Sequence, residues 1–239
     1  MEIKSTKSFG VNSLKIIVYG PPGVGKTTLA ATTKEPTLIL SAEGGLLSLT
    51  DHDVDFIDLT TNDKGELLDK SDRMDRLRDA YDFAQSDEAK KKYKWLFIDS
   101  LTEISQIVIE KYQKLYPERK DGLVLWGEYA KEMRSLIKAF RDIPNYNVVF
   151  TALAKTDKDD NGRRFQSIDV SGAIASQAPA YFDEMFYYHA FEDSDGNIQR
   201  KLITQPSDKV SAKDRSGKLE QNEKPNLGEI AQKIRGKRK

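Results

Sequence analysis

The stretch Gly20–Thr27 constrains this chain more than any other, because it fits the pattern G-x-x-x-x-G-K-[ST] of a phosphate-binding loop. The apolar run Leu14–Tyr19 precedes it, and the short helix-forming run Thr28–Ala31 follows it. In such a strand–loop–helix unit, inward-facing backbone N–H groups and the positive end of the helix cradle phosphate oxygens. The stretch therefore predicts a nucleotide site. The residues expected to hold the nucleotide are Gly20, Pro21, Pro22, Gly23, Val24, Gly25, Lys26, Thr27 and Thr28.

Four polar side chains have predicted roles around this loop. Lys26 is expected to reach the β- and γ-phosphates of ATP, and the Thr27 hydroxyl to bind Mg²⁺. Asp99 ends an apolar strand, whose carboxyl end should share a sheet edge with the loop, so it is expected to hold the Mg²⁺ shell. Alternatively, Asp99 or Ser100 caps the following helix. Glu43 also follows an apolar strand and is expected to orient the water that attacks the γ-phosphate, unless it is simply a polar loop residue.

Composition narrows the class of protein. The chain has 239 residues, no cysteine and no formal net charge at pH 7. Its length suits one α/β domain, which we place at residues 1–234, followed by a basic C-terminal tail at 235–239. The lack of cysteine excludes disulfides and thiol catalysis and fits a reducing, cytoplasmic setting. No apolar run is long enough to span a membrane, and any binding to nucleic acid must use local basic patches.

Hydrophobic periodicity predicts the other elements. Apolar runs before and after the loop are expected to form strands, and a turn at Asp193–Asn197 joins two further strands into a hairpin. The polar stretches Ser86–Lys94 and Lys155–Ala180 are predicted as loops. Together these elements predict an α/β fold: a mostly parallel sheet flanked by helices, with an antiparallel hairpin at the C-terminal edge. Helices are predicted over Met74–Ala84, Leu101–Leu115 and Tyr129–Phe140.

Three stretches around the loop together resemble the core of RecA- and RadA-type P-loop ATPases. Leu38–Glu43 is similar to the strand that delivers the catalytic glutamate in RecA-type recombinases, and Phe97–Leu101 to their metal-binding strand. Ala212–Gly217 is similar to the Lys-x-Arg stretch of RadA-like members. The resemblance implies a RecA-like P-loop fold that binds ATP and Mg²⁺ between the subunits of a ring or filament. In that arrangement Lys213 and Arg215 act as catalytic residues on the nucleotide of a neighbouring subunit.

Within this group, the chain most resembles the short phage RecA-like single-strand annealing ATPases. The resemblance implies a DNA-dependent ATPase of phage-type recombination, annealing or repair, located in the host cytoplasm, with a single-strand binding protein as a further partner. The segment after Val148–Leu153 lies where RecA-type proteins keep a DNA-binding loop. Cations beside an aromatic ring suit single strands, although interleaved aspartates also fit a solvated loop. The predicted nucleic-acid-binding residues are Lys155, Lys158, Arg163, Arg164 and Phe165.

One position departs from the RecA-type pattern. The strand that matches Val148–Leu153 usually ends in Gln or His, which senses the γ-phosphate and signals to the DNA loops. Here the matching residue is Leu153, and Thr151 is the nearest polar side chain. Any coupling between the nucleotide state and DNA binding is then expected to depend on Thr151, Lys155 or Thr156.

Two other functions stay open on sequence alone. The sequence Gly-Pro-Pro-Gly also occurs in nucleoside monophosphate kinases, in which case the chain is a phosphotransferase and Asp157–Arg164 its lid. Alternatively, it is a nucleotide-gated adaptor or loader for a replication protein. His52 and His189 show no metal-ligand spacing and are predicted to be structural. The aromatic residues predicted to lie in the core are Trp95, Trp126, Tyr187 and Tyr188.

Overall fold

The computed structural model describes residues 13–117, 122–159 and 161–236, in which strands alternate with helices before two β-hairpins follow. The strands are β1 (Lys15–Gly20), β2 (Thr37–Ser41), β3 (Asp55–Asp58), β4 (Trp95–Asp99), β5 (Asn147–Lys158), β6 (Arg164–Ile168), β7 (Glu184–Glu192), β8 (Ile198–Ile203), β9 (Lys213–Asp214) and β10 (Asn222–Glu223). The helices are α1 (Lys70–Gln85), α2 (Asp87–Lys92), α3 (Leu101–Leu115), α4 (Gly122–Arg141), α5 (Ile174–Tyr181) and α6 (Leu227–Arg235), with 3-10 helices at Thr27–Thr32 and Leu47–Leu49.

The order of the strands places the loop near the middle of the sheet. That order is β10-β8-β7-β1-β5-β4-β2-β3. The pairs from β7 to β3 are parallel, whereas β8, β9 and β10 pair antiparallel at one edge. β5 therefore separates β1, which carries the loop, from β4, which carries Asp99. The predicted α/β fold class is confirmed: a mostly parallel sheet flanked by helices, with antiparallel strands at the C-terminal edge.

The sheet has two faces with different covers, because successive side chains of a strand point to opposite sides. Ile17 and Tyr19 of β1 pack beneath α1, α3, α4 and α5, and we call their side the α3–α4 face. Ile16 and Val18 pack with the first 3-10 helix and α6, and we call their side the P-loop face. A fully buried side chain such as Phe97 stabilises the fold by about 1.5–3 kcal/mol. Both faces bury side chains of this kind, so both contribute to the stability of the sheet.

Two local predictions near the loop are corrected by the structure. The helix-forming run after the loop is a 3-10 helix, Thr27–Thr32. Ser86–Lys94 is not all loop, because it contains α2. Ser86 caps that helix by accepting the Ala89 N–H at 3.1 Å, and Ala89 is fully buried among the lysines. The serine cap and the buried alanine thus help to order this charged stretch.

The largest correction concerns the predicted loop over Lys155–Ala180, which is wrong. β5 continues past its last partner in β1, turns, and returns as β6, with Lys158 opposite Arg164. The turn is fixed by the Asp159 carboxylate, which accepts the N–H groups of Asn161 at 2.9 Å and Arg163 at 2.8 Å. α5 follows. Backbone pairing thus orders a segment that has no apolar periodicity.

The remaining expectations concern aromatic residues, the chain end and membrane spans. Trp95 is fully buried as predicted, but Trp126 is 46% exposed and does not belong to the core. Arg235 ends α6 and donates to Asn147 Oδ1 at 2.7 Å, while residues 237–239 of the predicted tail lie outside the described residues. Among the helices that the structure describes, none has the length and apolarity needed to cross a membrane.

Candidate nucleotide site and nucleic-acid surface

The glycines of the loop occupy positions where a side chain would not fit. A Cβ at Gly20 would lie 2.6 Å from the Tyr188 carbonyl oxygen, so β1 and β7 can approach here only without one. Gly25 has a φ of 105°, and a Cβ there would lie 3.0 Å from Thr28 Oγ1. The backbone of the loop therefore adopts a conformation that these glycines permit and other residues resist.

Lys26 lies within this loop. Its Nζ donates to the carbonyl oxygens of Gly20 at 3.1 Å and Pro21 at 2.9 Å. Burial lowers the pKa of Lys26 from its ordinary value, while the negative charges of Glu43 and Asp99 act in the opposite direction. The ammonium group is thus a partly desolvated cation held at the carboxyl edge of the sheet.

Asp99, at the end of β4, links the first 3-10 helix to β5. Thr27 Oγ1 donates to Asp99 Oδ2 at 2.7 Å, and the buried Thr151 hydroxyl donates to Asp99 Oδ1. Thr151 comes from β5, so the strand between β1 and β4 fixes the orientation of the carboxylate. Only 5% of Asp99 is exposed. Of the two residues predicted as possible caps of the following helix, Ser100 is the cap, because its Oγ accepts the Glu103 N–H at 3.3 Å.

Glu43 reaches the same edge from the end of β2. Ser100 Oγ donates to Glu43 Oε1, and the peptide bond between Asp99 and Ser100 is cis. The backbone after β2 is anchored to β4, because Ala42 N–H donates to the Asp99 carbonyl at 2.6 Å. One serine therefore caps α3 and holds the Glu43 carboxylate beside Asp99.

The oxygen atoms at this edge fit Mg²⁺. A threonine hydroxyl and a carboxylate, 2.7 Å apart at Thr27 and Asp99, are hard oxygen donors of the kind Mg²⁺ prefers. Within residues 13–117, 122–159 and 161–236, no group of three or more His, Cys, Asp or Glu side chains could hold a metal by itself. Mg²⁺ at nucleotide sites is usually bound by one or two protein ligands together with phosphates and water.

Two residues that contact the loop were not predicted from the sequence. Arg200 of β8 donates from Nε to the Val24 carbonyl at 3.1 Å. The Tyr188 hydroxyl of β7 would lie 3.3 Å from a Cβ placed at Gly25. The edge hairpin of β7 and β8 therefore packs directly on the loop. No local pattern could have indicated this, because Arg200 and Val24 are 176 positions apart.

Leu153 occupies the position where RecA-type proteins carry a polar sensor, and among the described residues its hydrogen bonds are made by its backbone. Its N–H donates to Thr102 Oγ1 at 2.9 Å, and its carbonyl accepts the Asp169 N–H at 2.8 Å. Lys155, one of the predicted substitutes, donates to the Val170 carbonyl at 3.2 Å. Thr151 is the polar residue of β5 that contacts the site, through Asp99.

The residues predicted to bind nucleic acid divide between the two sides of the β5–β6 hairpin. Lys158 and Arg164 face each other on the side of Ala154 and Ile168, which pack on the α3–α4 face. Phe165 lies opposite Asp157 on the other side, so the aromatic ring is not beside those two cations. Phe165 therefore lies on the same side of the hairpin as Lys155, and Lys158 and Arg164 lie on the other side.

The four cations also differ in their partners. Lys155 Nζ lies 3.8 Å from Asp157, and Arg163 Nε lies 3.0 Å from Asp159. The side chains of Lys158 and Arg164, both exposed, have no hydrogen-bond or ion-pair partner among the described parts of the chain. These two are consequently the cations of the hairpin that are available to an external anion.

Lys213 and Arg215 lie at the opposite edge of the sheet. Lys213 Nζ donates to the carbonyl oxygens of Pro179 and Phe182, each at 2.7 Å, at the end of α5. Arg215 Nη1 donates to Asp183 Oδ1 at 2.5 Å. Asp183 N–H in turn donates to the carbonyl of Lys15, the first residue of β1. The loop begins at the other end of β1, about 16 Å away, so neither cation reaches the loop of its own subunit.

Comparison with known proteins identifies a family and similar solved structures, of which one is described here. A family model described as an AAA domain matches residues 12–216. An ATPase from the type III secretion system of pathogenic bacteria matches with a TM-score of 0.49 and 16% identity, over 75% of this chain and 55% of that chain. This chain thus spans about half the length of that ATPase. No curated protein matches the chain.

Proposed function

The chain belongs to the AAA domain family of P-loop ATPases, and on that premise we propose that it hydrolyses ATP while acting on single-stranded DNA in recombination, annealing or repair. The nucleotide binds at the loop, with Thr27 and Asp99 holding Mg²⁺. Subunits associate in a ring or filament with the nucleotide at the interface, where Lys213 and Arg215 contact the neighbour's nucleotide. A single-strand binding protein is a further partner in this proposal.

The observation that supports hydrolysis is the meeting of Lys26, Asp99 and Glu43 at one edge of the sheet. Lys26 supplies the cation for the phosphates, and Glu43, held by Ser100, supplies a carboxylate to accept the proton of an attacking water. When bound, Mg²⁺ would neutralise charge that develops on the phosphates. A phosphoryl-transfer site needs mainly such positioned charges.

Glu43→Gln is expected to preserve ATP binding and slow hydrolysis by about 100-fold or more, the effect of losing a general base. Glutamine keeps an oxygen that can accept the Ser100 hydroxyl, so the side chain stays in place while its basicity is lost. The matched control is Glu103→Gln, in the first turn of α3 beside Ser100, which should hydrolyse ATP normally. Turnover and ATP affinity are measured for both variants. Normal turnover of Glu43→Gln would mean that another group positions the attacking water.

The observation that supports binding of single strands is the β5–β6 hairpin. It projects from the strand next to the loop and carries Lys158 opposite Arg164, two exposed cations without partners among the described residues. The resemblance to RecA-type proteins supports the same role for this segment, since their DNA loop follows the corresponding strand. The kinase alternative needs a basic lid; in that segment Arg163 is paired with Asp159, whereas Lys158 and Arg164 are exposed, so the assay below decides between the two functions.

ATP hydrolysis with and without single-stranded DNA tests the proposed function. Stimulation by the DNA is expected. Consumption of a nucleoside monophosphate would instead show a phosphotransferase, and nucleotide binding without either reaction would show a nucleotide-gated adaptor. Each of these two results contradicts the proposal.

Replacing Lys158 and Arg164 together by alanine is expected to weaken single-strand binding and lower its log–log salt slope by about 1.4, since each lost phosphate contact removes about 0.7. The control is the double alanine variant of Lys155 and Arg163. It also removes two positive charges, but from side chains that already have acidic partners. Its slope should change less. Equal changes in both pairs would mean that only the overall charge of the hairpin matters, and no change in either would place the DNA site elsewhere.

A further inference from the structure

The hairpin of β7 and β8 extends beyond the end of β1, and its two sides have different neighbours. Tyr188 and Arg200 point to the P-loop face, where they contact the loop. On the α3–α4 face, β7 presents Tyr187, His189 and Phe191 at alternate positions. From the sequence, Tyr187 is predicted to lie in the core and His189 to be structural, and Phe191 has no predicted role.

The rings on the α3–α4 face form a continuous series. The centroids of Tyr187 and His189 are 5.8 Å apart with an angle of 27° between their planes, and those of His189 and Phe191 are 6.0 Å apart with an angle of 11°. Exposure rises from 8% for Tyr187 to 37% for Phe191. Lys201 of β8 places its Nζ 4.9 Å from the centre of the Phe191 ring. The series therefore begins in the core and ends at the surface beside a cation.

We propose that His189, Phe191 and Lys201 form a base-stacking site for a single-stranded nucleic acid, an inference that rests on the proposed function. The exposed part of the Phe191 ring, at the end of the stacked series, can accept any base, and Lys201 beside it attracts the phosphate backbone. A protein partner would bury these rings against apolar groups, whereas Lys158 and Arg164 add two more cations to the same face of the sheet. The chemistry of this surface thus favours a polyanion with stacking bases.

The two hairpins are placed so that one single-stranded nucleic acid can contact both. β5 and β7 are the two neighbours of β1, so the hairpins leave the sheet about 10 Å apart, twice the spacing of adjacent strands. Phosphates then lie near Lys158 and Arg164 while bases stack on Phe191. The turn of the β7–β8 hairpin carries Asp193 and Asp195. Because these carboxylates repel phosphates, the nucleic acid follows the flank of the hairpin and not its tip.

Phe191→Ala tests this site by its effect on affinity and on salt dependence. Single-strand affinity, measured by fluorescence anisotropy with labelled oligothymidine at several salt concentrations, is expected to fall about 5-fold or more, the effect of losing one stacked base. The salt slope should stay unchanged, because no cation is removed. This separates the site from the β5–β6 cations, whose loss lowers the slope. Far-UV circular dichroism checks the fold of the variant.

Ile198→Ala is the matched control, since Ile198 is an exposed apolar residue of the same hairpin on the opposite side, paired with Glu192. It should bind oligothymidine as tightly as the wild-type protein does. A second measurement uses the wild-type protein: oligonucleotides with 5-iodouracil are crosslinked by light, and the attachment sites are found by mass spectrometry. Crosslinks at His189 or Phe191 are expected.

The outcomes separate this inference from the function on which it rests. If the wild-type protein binds no oligothymidine, the proposed single-strand function fails, and the stacking site fails with it. If the wild-type protein binds but Phe191→Ala binds equally well, the stacking site alone is overturned. Crosslinks confined to other parts of the chain have the same consequence.

Discussion

Lys26→Ala is expected to abolish ATP hydrolysis and to weaken nucleotide binding strongly. The Lys26 ammonium lies within the loop, where it donates hydrogen bonds to the carbonyl oxygens of Gly20 and Pro21, and we expect it to be the cation that faces bound phosphates. Burial lowers its pKa, and phosphate charge would favour its protonated form as Glu43 and Asp99 do. Turnover and ATP affinity of the purified variant are the measurements.

Lys15→Ala is the control for this experiment. Lys15 is also a partly buried lysine whose pKa is lowered by burial, and it lies at the amino end of the same strand, where its Nζ donates to the Tyr146 carbonyl at 3.5 Å. Replacing Lys15 by alanine should leave the turnover of ATP unchanged. Normal turnover of Lys26→Ala would refute the assignment of the loop, and equal loss in both variants would trace the defect to folding of β1.

Much of the nucleotide site could be predicted from the sequence, because its parts follow from two local rules. A loop motif fixes Lys26 and Thr27, and the carboxyl ends of parallel strands bring Asp99 and Glu43 to the same edge. Neither rule requires knowledge of which strands are neighbours. The fold class followed in the same way from the alternation of apolar strands and amphipathic helices.

The contacts that complete the site could not be predicted, since they join residues distant in the chain. Ser100 meets Glu43 across 57 positions, and Arg200 meets Val24 across 176. Polar residues of this kind give no periodic signal, because a single side chain makes the contact. Only the pairing of β4 with β2, and of β8 with β7, brings them together.

The β5–β6 hairpin shows a different limit. Lys155, Asp157 and Lys158 alternate in charge and not in hydrophobicity, so the segment looks like a solvated loop. Its order comes from backbone pairing and from the Tyr19 hydroxyl, which donates to the Gln166 carbonyl at 3.0 Å. Because the strand alternates, Phe165 and Lys158 then point to opposite sides, which no list of residue types reveals.

Arg215→Ala is expected to leave ATP binding nearly intact and to slow hydrolysis by about 1000-fold or more, the effect of removing an arginine finger. Arg215 lies at the sheet edge away from its own loop, so the proposed role requires a neighbouring subunit. Its side chain is 56% exposed and pairs with Asp183, a contact that an approaching nucleotide can replace. Lys213 is less free, because it would have to leave two carbonyl oxygens of its own subunit.

Mixing two inactive variants tests the role in a neighbouring subunit. A Lys26→Ala subunit keeps Arg215 but cannot hydrolyse ATP, whereas an Arg215→Ala subunit keeps its loop but has no arginine to donate. Mixed assemblies contain interfaces that pair an intact loop with an intact Arg215, so part of the activity should return. Size-exclusion chromatography of differently labelled subunits shows whether they assemble together. Co-assembly without any recovery of activity would mean that Arg215 serves only its own subunit, through Asp183.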